Sequence, residues 1–222
     1  MSERASFVFG RALPLGLFGF LVAIQGELAY ASAEHAFLTG QLERTEAMYL
    51  LNRILTVVFF TILLVIYMVR GKAIAHDHNP VAIVAALVGS FILYALFLIP
   101  GQARSTDVRV LALSDMLLAC GMTWAVYSLT YLRNRFSIVP EVRGLMTSGP
   151  YAMVRHPIYL GEIVAGLGLV VPTFFTLHLI VFAVFVAAQI LRTYFEERVL
   201  RSAYPTYEAY ARRTRRLIPF IL

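Results

Sequence analysis

The sequence predicts an all-α fold: a polytopic membrane helix bundle of four spans plus a C-terminal helical hairpin, five to six membrane helices in all. A cytoplasmic amphipathic C-terminal helix completes it. Three observations carry this reading. Hydrophobic residues make up 59% of the 222-residue chain. Charged residues make up only 14%, where soluble globular chains hold about 25%. Apolar runs of about 20 residues recur along the chain, which leaves little length for a separate soluble domain. A disulfide framework is excluded, because the single cysteine, Cys120, lies inside an apolar run. Eighteen arginines and one lysine, Lys72, against thirteen acids give a net charge of +6. The polar ends therefore favour anionic head groups or anionic ligands, and membrane lipids are expected partners. Nucleic acid is not expected as a partner of so apolar a chain.

The first four spans are expected over residues 12–31, 50–69, 81–99 and 110–132, each a run with few charges. Arg4 and Arg11 ahead of the first run, with Ala29-Tyr30-Ala31-Ser32-Ala33 after it, have the outline of a cleavable signal peptide. The length of the apolar run argues against that reading, and it is taken as a span. The fifth apolar region, 158–191, is too long for one ordinary span and is broken by Pro172, which removes a backbone donor. It is read as a hairpin turning at Pro172, the alternative being one kinked span with a long amphipathic extension. The hairpin puts fifteen Lys and Arg residues on the side of the termini and four, Arg44, Arg53, Arg104 and Arg109, on the other. A single crossing makes the tally eight against eleven. Cytoplasmic loops are enriched in cations, so both termini are expected in the cytoplasm, in a bacterial-type inner membrane.

Polar residues inside apolar spans are costly and are functional candidates by default. Gln25, Glu27, Asp115, Glu162, Gln189 and Arg192 qualify. For Gln25, Asp115 and Gln189 interhelical hydrogen bonding is a sufficient reading, and Gly166-Leu167-Gly168 reads as close helix packing. No metal is expected: His76-Asp77-His78 lacks the further ligands of a zinc site and reads as a polar turn. His35 and His178 sit near span ends, where an interfacial role suffices.

The densest polar region is 144–162, with a second cluster at 192–197. Gly149-Pro150 enforces a turn, and Pro157 biases His156 away from helical backbone angles. Residues 147–157 are therefore expected to form an irregular segment lining a cavity, into which Tyr151, Arg155, His156 and Tyr159 project. The alternative is a basic juxtamembrane anchor with interfacial tyrosines. In the second cluster Arg192 lies four residues before Glu196 on one helix face. An intrahelical ion pair between them leaves Glu197 unexplained. A closed hairpin brings His156 and Glu162 to the same cytoplasmic mouth as Arg192, Glu196 and Glu197. The tail alternates cations with Tyr204, Tyr207 and Tyr210, as suits a helix on the membrane surface, a cap over the pocket or a basic anchor. Arg212, Arg213, Arg215 and Arg216 read as head-group contacts.

Together these residues resemble the isoprenylcysteine carboxyl methyltransferase family of integral membrane methyltransferases, related to the phospholipid N-methyltransferases. The resemblance rests on Gly149-Pro150-Tyr151, on Arg155-His156-Pro157-Ile158-Tyr159-Leu160-Gly161, on the hairpin, on Glu196-Glu197-Arg198-Val199-Leu200 and on the tyrosines of 204–210. It covers about 136–219 and divides one integrated membrane domain into N-terminal membrane helices, 1–135, and a methyltransferase core, 136–222. Two departures bear on the acceptor. Ser137-Ile138-Val139-Pro140-Glu141 stands where the eukaryotic members usually have a histidine, and Tyr204-Pro205 replaces their Phe-Gly.

The resemblance implies S-adenosylmethionine as cofactor, held by Tyr151, Val154, Arg155, His156, Pro157, Tyr159, Gly161, Glu196 and Glu197, with Arg192 and Glu196 in catalysis. A lipophilic or small-molecule acceptor would arrive from the bilayer. The residue chemistry agrees: a sulfonium, an amino-acid zwitterion and an adenine call for carboxylates, a cation and flat apolar surfaces. In-line methyl transfer relies on alignment and desolvation. Arg192 would orient a carboxylate acceptor, whereas an amine or thiol needs a glutamate to take its proton. Two other readings stay open at this stage: a nicotinamide-dependent reductase of the sterol reductase type, and a transport or interaction subunit with a polar path through Glu27, Asp115 and Glu162.

Overall fold

The computed structural model describes residues 12–40, 44–69, 75–76, 79–97, 99, 105, 107–132, 135, 141–142, 144–173 and 175–218. The chain divides into two compact units, Met1–Arg70 and Gly71–Leu222. In the first, α1 (Leu13–Thr39) pairs with α2 (Arg44–Val69). Helix α1 runs past residue 31 and stops where Gly40 turns left-handed, φ 62°, a conformation glycine adopts without a Cβ penalty. Phe18 stacks on Phe60 at 6.2 Å. Arg53 of α2 donates to the Leu28 carbonyl and, at 2.8 Å, to Ser32 Oγ. Glu27 lies on the outer surface of α1.

The second unit begins its helices with α3 (Pro80–Phe91), whose Asn79 cap accepts from Val81 N at 2.9 Å. The proline at the first helical position lacks only an N–H that has no partner there anyway. A 3₁₀ stretch, Ile92–Phe97, follows, so the expected span over 81–99 is a short α-helix with a tighter tail. Then come α4 (Val108–Leu132), a 3₁₀ turn (Gly149–Ala152), α5 (Pro157–Val170), α6 (Thr176–Ala203) and α7 (Tyr207–Arg213). A two-residue antiparallel ladder pairs Ala75 with Val142 and His76 with Glu141.

Helices α5 and α6 are separate, and the chain turns between them at Pro172, as the hairpin reading expects. The Pro172 carbonyl accepts from Ser105 N at 2.8 Å, and Thr173 Oγ1 bonds His178 Nδ1 at 2.7 Å. His178 is thus buried against the turn. Among the described residues three helices are long and apolar enough to cross a membrane: Leu15–Thr39, Val108–Leu132 and Thr176–Ala203. Helix α5 has 14 residues, about 21 Å of rise against a hydrocarbon core of about 30 Å. It reaches only part of the way and ends where α6 begins.

Helix α5 is held at depth by near-contact of backbones. A Cβ on Gly121 of α4 would lie 2.4 Å from Ala165 N, and one on Gly168 of α5 would lie 2.7 Å from the Ser114 carbonyl. Ser114 Oγ in turn donates to the Gly168 carbonyl at 2.7 Å. Small residues let two membrane helices approach until dispersion and polar contacts act in the absence of a hydrophobic drive. The packing expected at Gly166 and Gly168 is therefore present, with Leu93 and Phe185 around Gly166.

Candidate functional site at the hairpin mouth

The site is assembled where the irregular segment before α5 meets the end of α6 and the C-terminal residues. Gly149 has φ 61°, and a Cβ there would lie 2.3 Å from the Tyr131 ring; glycine is required for both the angle and the space. After the 3₁₀ turn the chain stays non-helical through His156, φ −127° and ψ 63°, ahead of Pro157. That open backbone is satisfied by the C-terminal segment. Val154 bridges Arg215, Arg155 N donates to the Arg215 carbonyl at 2.8 Å, and His156 N donates to the Arg216 carbonyl at 3.1 Å. Arg155 Nη1 donates to the Ala211 carbonyl at 2.8 Å and to that of Thr214, and Tyr210 Oη donates to the Tyr151 carbonyl at 2.7 Å.

Glu197 stands at the centre of this assembly with its side chain 0% exposed. Its Oε1 accepts from Arg155 Nε and Arg216 Nε, both at 2.9 Å, and lies 3.3 Å from His156 Nε2. Its Oε2 accepts from Arg216 Nη2 at 2.9 Å and Arg201 Nη2 at 3.0 Å. A buried carboxylate is tolerable only when cations and hydrogen bonds replace its water, and here three guanidiniums do so. The bonds to Glu197 raise the Arg216 pKa. Burial pushes the Tyr151 and Tyr207 phenols up and Tyr210 to about 12. All three tyrosines are neutral groups at physiological pH.

Glu196 has different surroundings. Its side chain is 23% exposed, its Oε1 accepts from Tyr159 Oη, and its Oε2 lies 3.6 Å from His156 Nδ1. The His156 and Tyr159 rings lie parallel, 9° apart, with centroids 5.7 Å apart. On Tyr159 sits the Arg192 guanidinium, 4.5 Å from the ring centroid. Arg192, 2% exposed, donates to Gln189 Oε1 at 2.9 Å. Gln189 Nε2 donates to Glu162 Oε2 at 2.5 Å and to the Gly89 carbonyl at 3.2 Å. The interhelical bonding expected of Gln189 is thus observed, reaching both α3 and α5.

The structure brings Tyr151, Arg155, His156, Tyr159, Glu196, Glu197 and Arg192 into one polar column between α5, α6 and the C-terminal segment. Val154 and Pro157 are buried beside it as backbone-setting residues. Gly161 faces α4, where a Cβ would lie 2.7 Å from the Gly121 carbonyl. Asp115 is half-buried on α4. One reading is corrected: Arg216 binds Glu197 rather than standing as a head-group contact, because the segment 214–217 pairs with 154–156 and turns that side chain inward. Sequence reasoning missed Arg201 and Gly89, whereas Tyr210, named with the tail as a cap over the pocket, does bond the Tyr151 carbonyl. The unexplained charge of Glu197 was the available signal for its cations; Gly89 left none.

Residues 110–207 match the family model described as phospholipid methyltransferase. The cobalt-zinc-cadmium resistance protein CzcN of Cupriavidus metallidurans is 40% identical over 78 residues, which are 34% of this chain and 35% of that protein. The chain thus spans about a third of the length of the curated relative it matches. The matched residues 110–207 hold α4, the hairpin, His156 and both glutamates, and over that stretch the chain is similar to the phospholipid methyltransferase family of integral membrane methyltransferases, which includes the isoprenylcysteine carboxyl methyltransferases.

Proposed function

We propose that this chain transfers a methyl group from S-adenosylmethionine to a lipophilic or small acceptor at the mouth of the α5–α6 hairpin. The observation that carries the reading is the convergence of His156, Tyr159 and Glu196 at that mouth, within a phospholipid methyltransferase domain. The donor set suits the cofactor. Glu196 is the partly exposed carboxylate for a cationic or ammonium group, and the parallel His156 and Tyr159 rings are flat surfaces beside it. When bound, S-adenosylmethionine supplies a methyl group on a sulfonium whose charge is lost on transfer.

The rest is done by the chain. Tyr159 Oη holds Glu196 in one orientation, and the Arg192 guanidinium against Tyr159 holds that ring. Glu197 serves from behind, tying Arg155, Arg201 and Arg216 together so that 211–216 closes over 154–156. Such fixed alignment lowers the entropic part of the barrier. For an anionic acceptor Arg192 is the orienting cation; for an amine or thiol, Glu196 or Glu162 accepts the proton. The fifteen-to-four cation bias supports a cytoplasm-facing mouth with both termini cytoplasmic, in a bacterial-type inner membrane.

The test is calorimetric binding of S-adenosylhomocysteine to detergent-purified protein, with NADPH as comparison ligand and His156→Ala as control. Saturable binding of S-adenosylhomocysteine alone, weakened in the variant, is the expected result. A folded sample that binds NADPH, or neither ligand, overturns the reading.

A further inference from the structure

Helix α3 lies outside residues 110–207 and carries none of the motif residues, yet it touches the polar column at Gly89. At Gly89 a Cβ would lie 2.9 Å from Arg192 Cδ, 3.0 Å from Gln189 Oε1 and 3.3 Å from Arg192 Nη1. The Gly89 carbonyl also accepts from Gln189 Nε2 at 3.2 Å. Glycine costs about 1 kcal/mol relative to alanine inside a helix, and α3 has alanine at Ala82, Ala85 and Ala86. The feature that sets Gly89 apart is therefore the space above its Cα, and two polar side chains of α6 occupy it.

From there the contacts form a chain. Gln189 bonds Arg192, Arg192 lies on the Tyr159 ring, and Tyr159 donates to Glu196. Gln189 also holds Glu162 at 2.5 Å, so this further acid is set by the same amide. We infer that Gly89 is a positioning residue for the methyl-transfer site: its missing side chain and its carbonyl set Gln189 and Arg192, through which Tyr159 and Glu196 are aligned. The inference rests on the proposed function for what the aligned groups do, but not for the alignment itself. It makes α3 a working part of the site rather than a peripheral helix.

A double-variant comparison tests it, because a residue acting through another loses its effect when the intermediary is removed. Gly89→Ala is made in the parent and in an Arg192→Ala/Glu162→Gln background, in which both buried charges are removed together. Two readouts are taken. One is S-adenosylhomocysteine affinity; the other is the ring signal of Tyr159 in isotope-labelled protein, assigned with Tyr159→Phe and independent of any ligand. The expected result is at least about a three-fold loss of affinity and a displaced Tyr159 signal in the parent, with neither change in the background. An unmoved Tyr159 signal, or the same change in both backgrounds, overturns the inference. If Gly89→Ala does not fold, Gln189→Ala removes the bond to the Gly89 carbonyl and is judged by the same criteria. A parent protein that binds no S-adenosylhomocysteine sinks the methyltransferase reading alone, since the Tyr159 signal still decides the role of Gly89.

Discussion

Glu196 and Glu197 are adjacent, yet one helix step turns the first toward Tyr159 and the edge of the site and the second into a nest of three guanidiniums. Their substitutions should therefore separate. Glu197→Gln leaves three cations around a neutral amide, and breaking a buried ion pair from one side costs about 3–5 kcal/mol. Thermal unfolding in detergent should show that loss, whereas Glu196→Gln should keep the parent midpoint and weaken S-adenosylhomocysteine binding. Asp115→Asn, half-buried on α4, should leave affinity near that of the parent; equal loss in both carboxylate variants would mean general destabilisation instead of a site.

Tyr210 gives a pH test. Its folded pKa, pushed up to about 12 by burial, lies above the value of about 10 for an unfolded tyrosine. The unfolded chain thus loses its proton first. The stabilisation is fully present below pH about 10 and is lost as pH rises toward about 12. Alkaline unfolding followed in parent and Tyr210→Phe should show a shallower decline in the variant over that window. At this scale the chemical identities of His156, Tyr159 and Glu196 were legible in the sequence, whereas the division of labour between the two glutamates was not. The partners of Glu197 lie 42 residues before it, at Arg155, and 19 after it, at Arg216.

Among the elements, the hairpin and the irregular segment before it follow from local chemistry. Pro172 ends one helix, Pro157 starts another, and Gly149 turns the chain where a side chain does not fit. Gly149→Ala should cost about 1–2 kcal/mol for the left-handed angle alone, with the Tyr131 collision added to it. The α4–α5 seam is a harsher test. Gly121→Leu puts a side chain where the Ala165 backbone already stands, 2.4 Å from the Cβ position. Size-exclusion chromatography should show loss of monodisperse protein, and recovery at the parent level would mean that the helices do not meet there. The seam was only partly legible: the Gly166 and Gly168 spacing announced close packing, but nothing local named Ser114 and Gly121 as the other wall. The length of α5 was not legible either, because apolar composition alone does not say where a helix stops within the membrane.

For the molecule as a whole, the C-terminal segment is the decisive piece. It comes back to residues 154–156 by backbone bonds and to Glu197 through Arg216. Removal of 214–222 should abolish S-adenosylhomocysteine binding while circular dichroism keeps the helical signal, since the contacts of α3 and α4 with the hairpin do not involve it. Retained affinity in that truncation would show that the segment is an anchor and no part of the site.

By itself the sequence determined the helical membrane architecture, the turn at Pro172 and the residue types gathered at the hairpin mouth. Apolar runs and prolines act over a few residues and need no knowledge of distant chain. Only the tertiary structure decided which glutamate is sealed by cations, that Arg216 turns inward, and that Gly89 of α3 makes room for Gln189 and Arg192. Those outcomes depend on which charges and which empty volumes the folded chain brings together, and burial makes an unmet charge too costly to leave to chance.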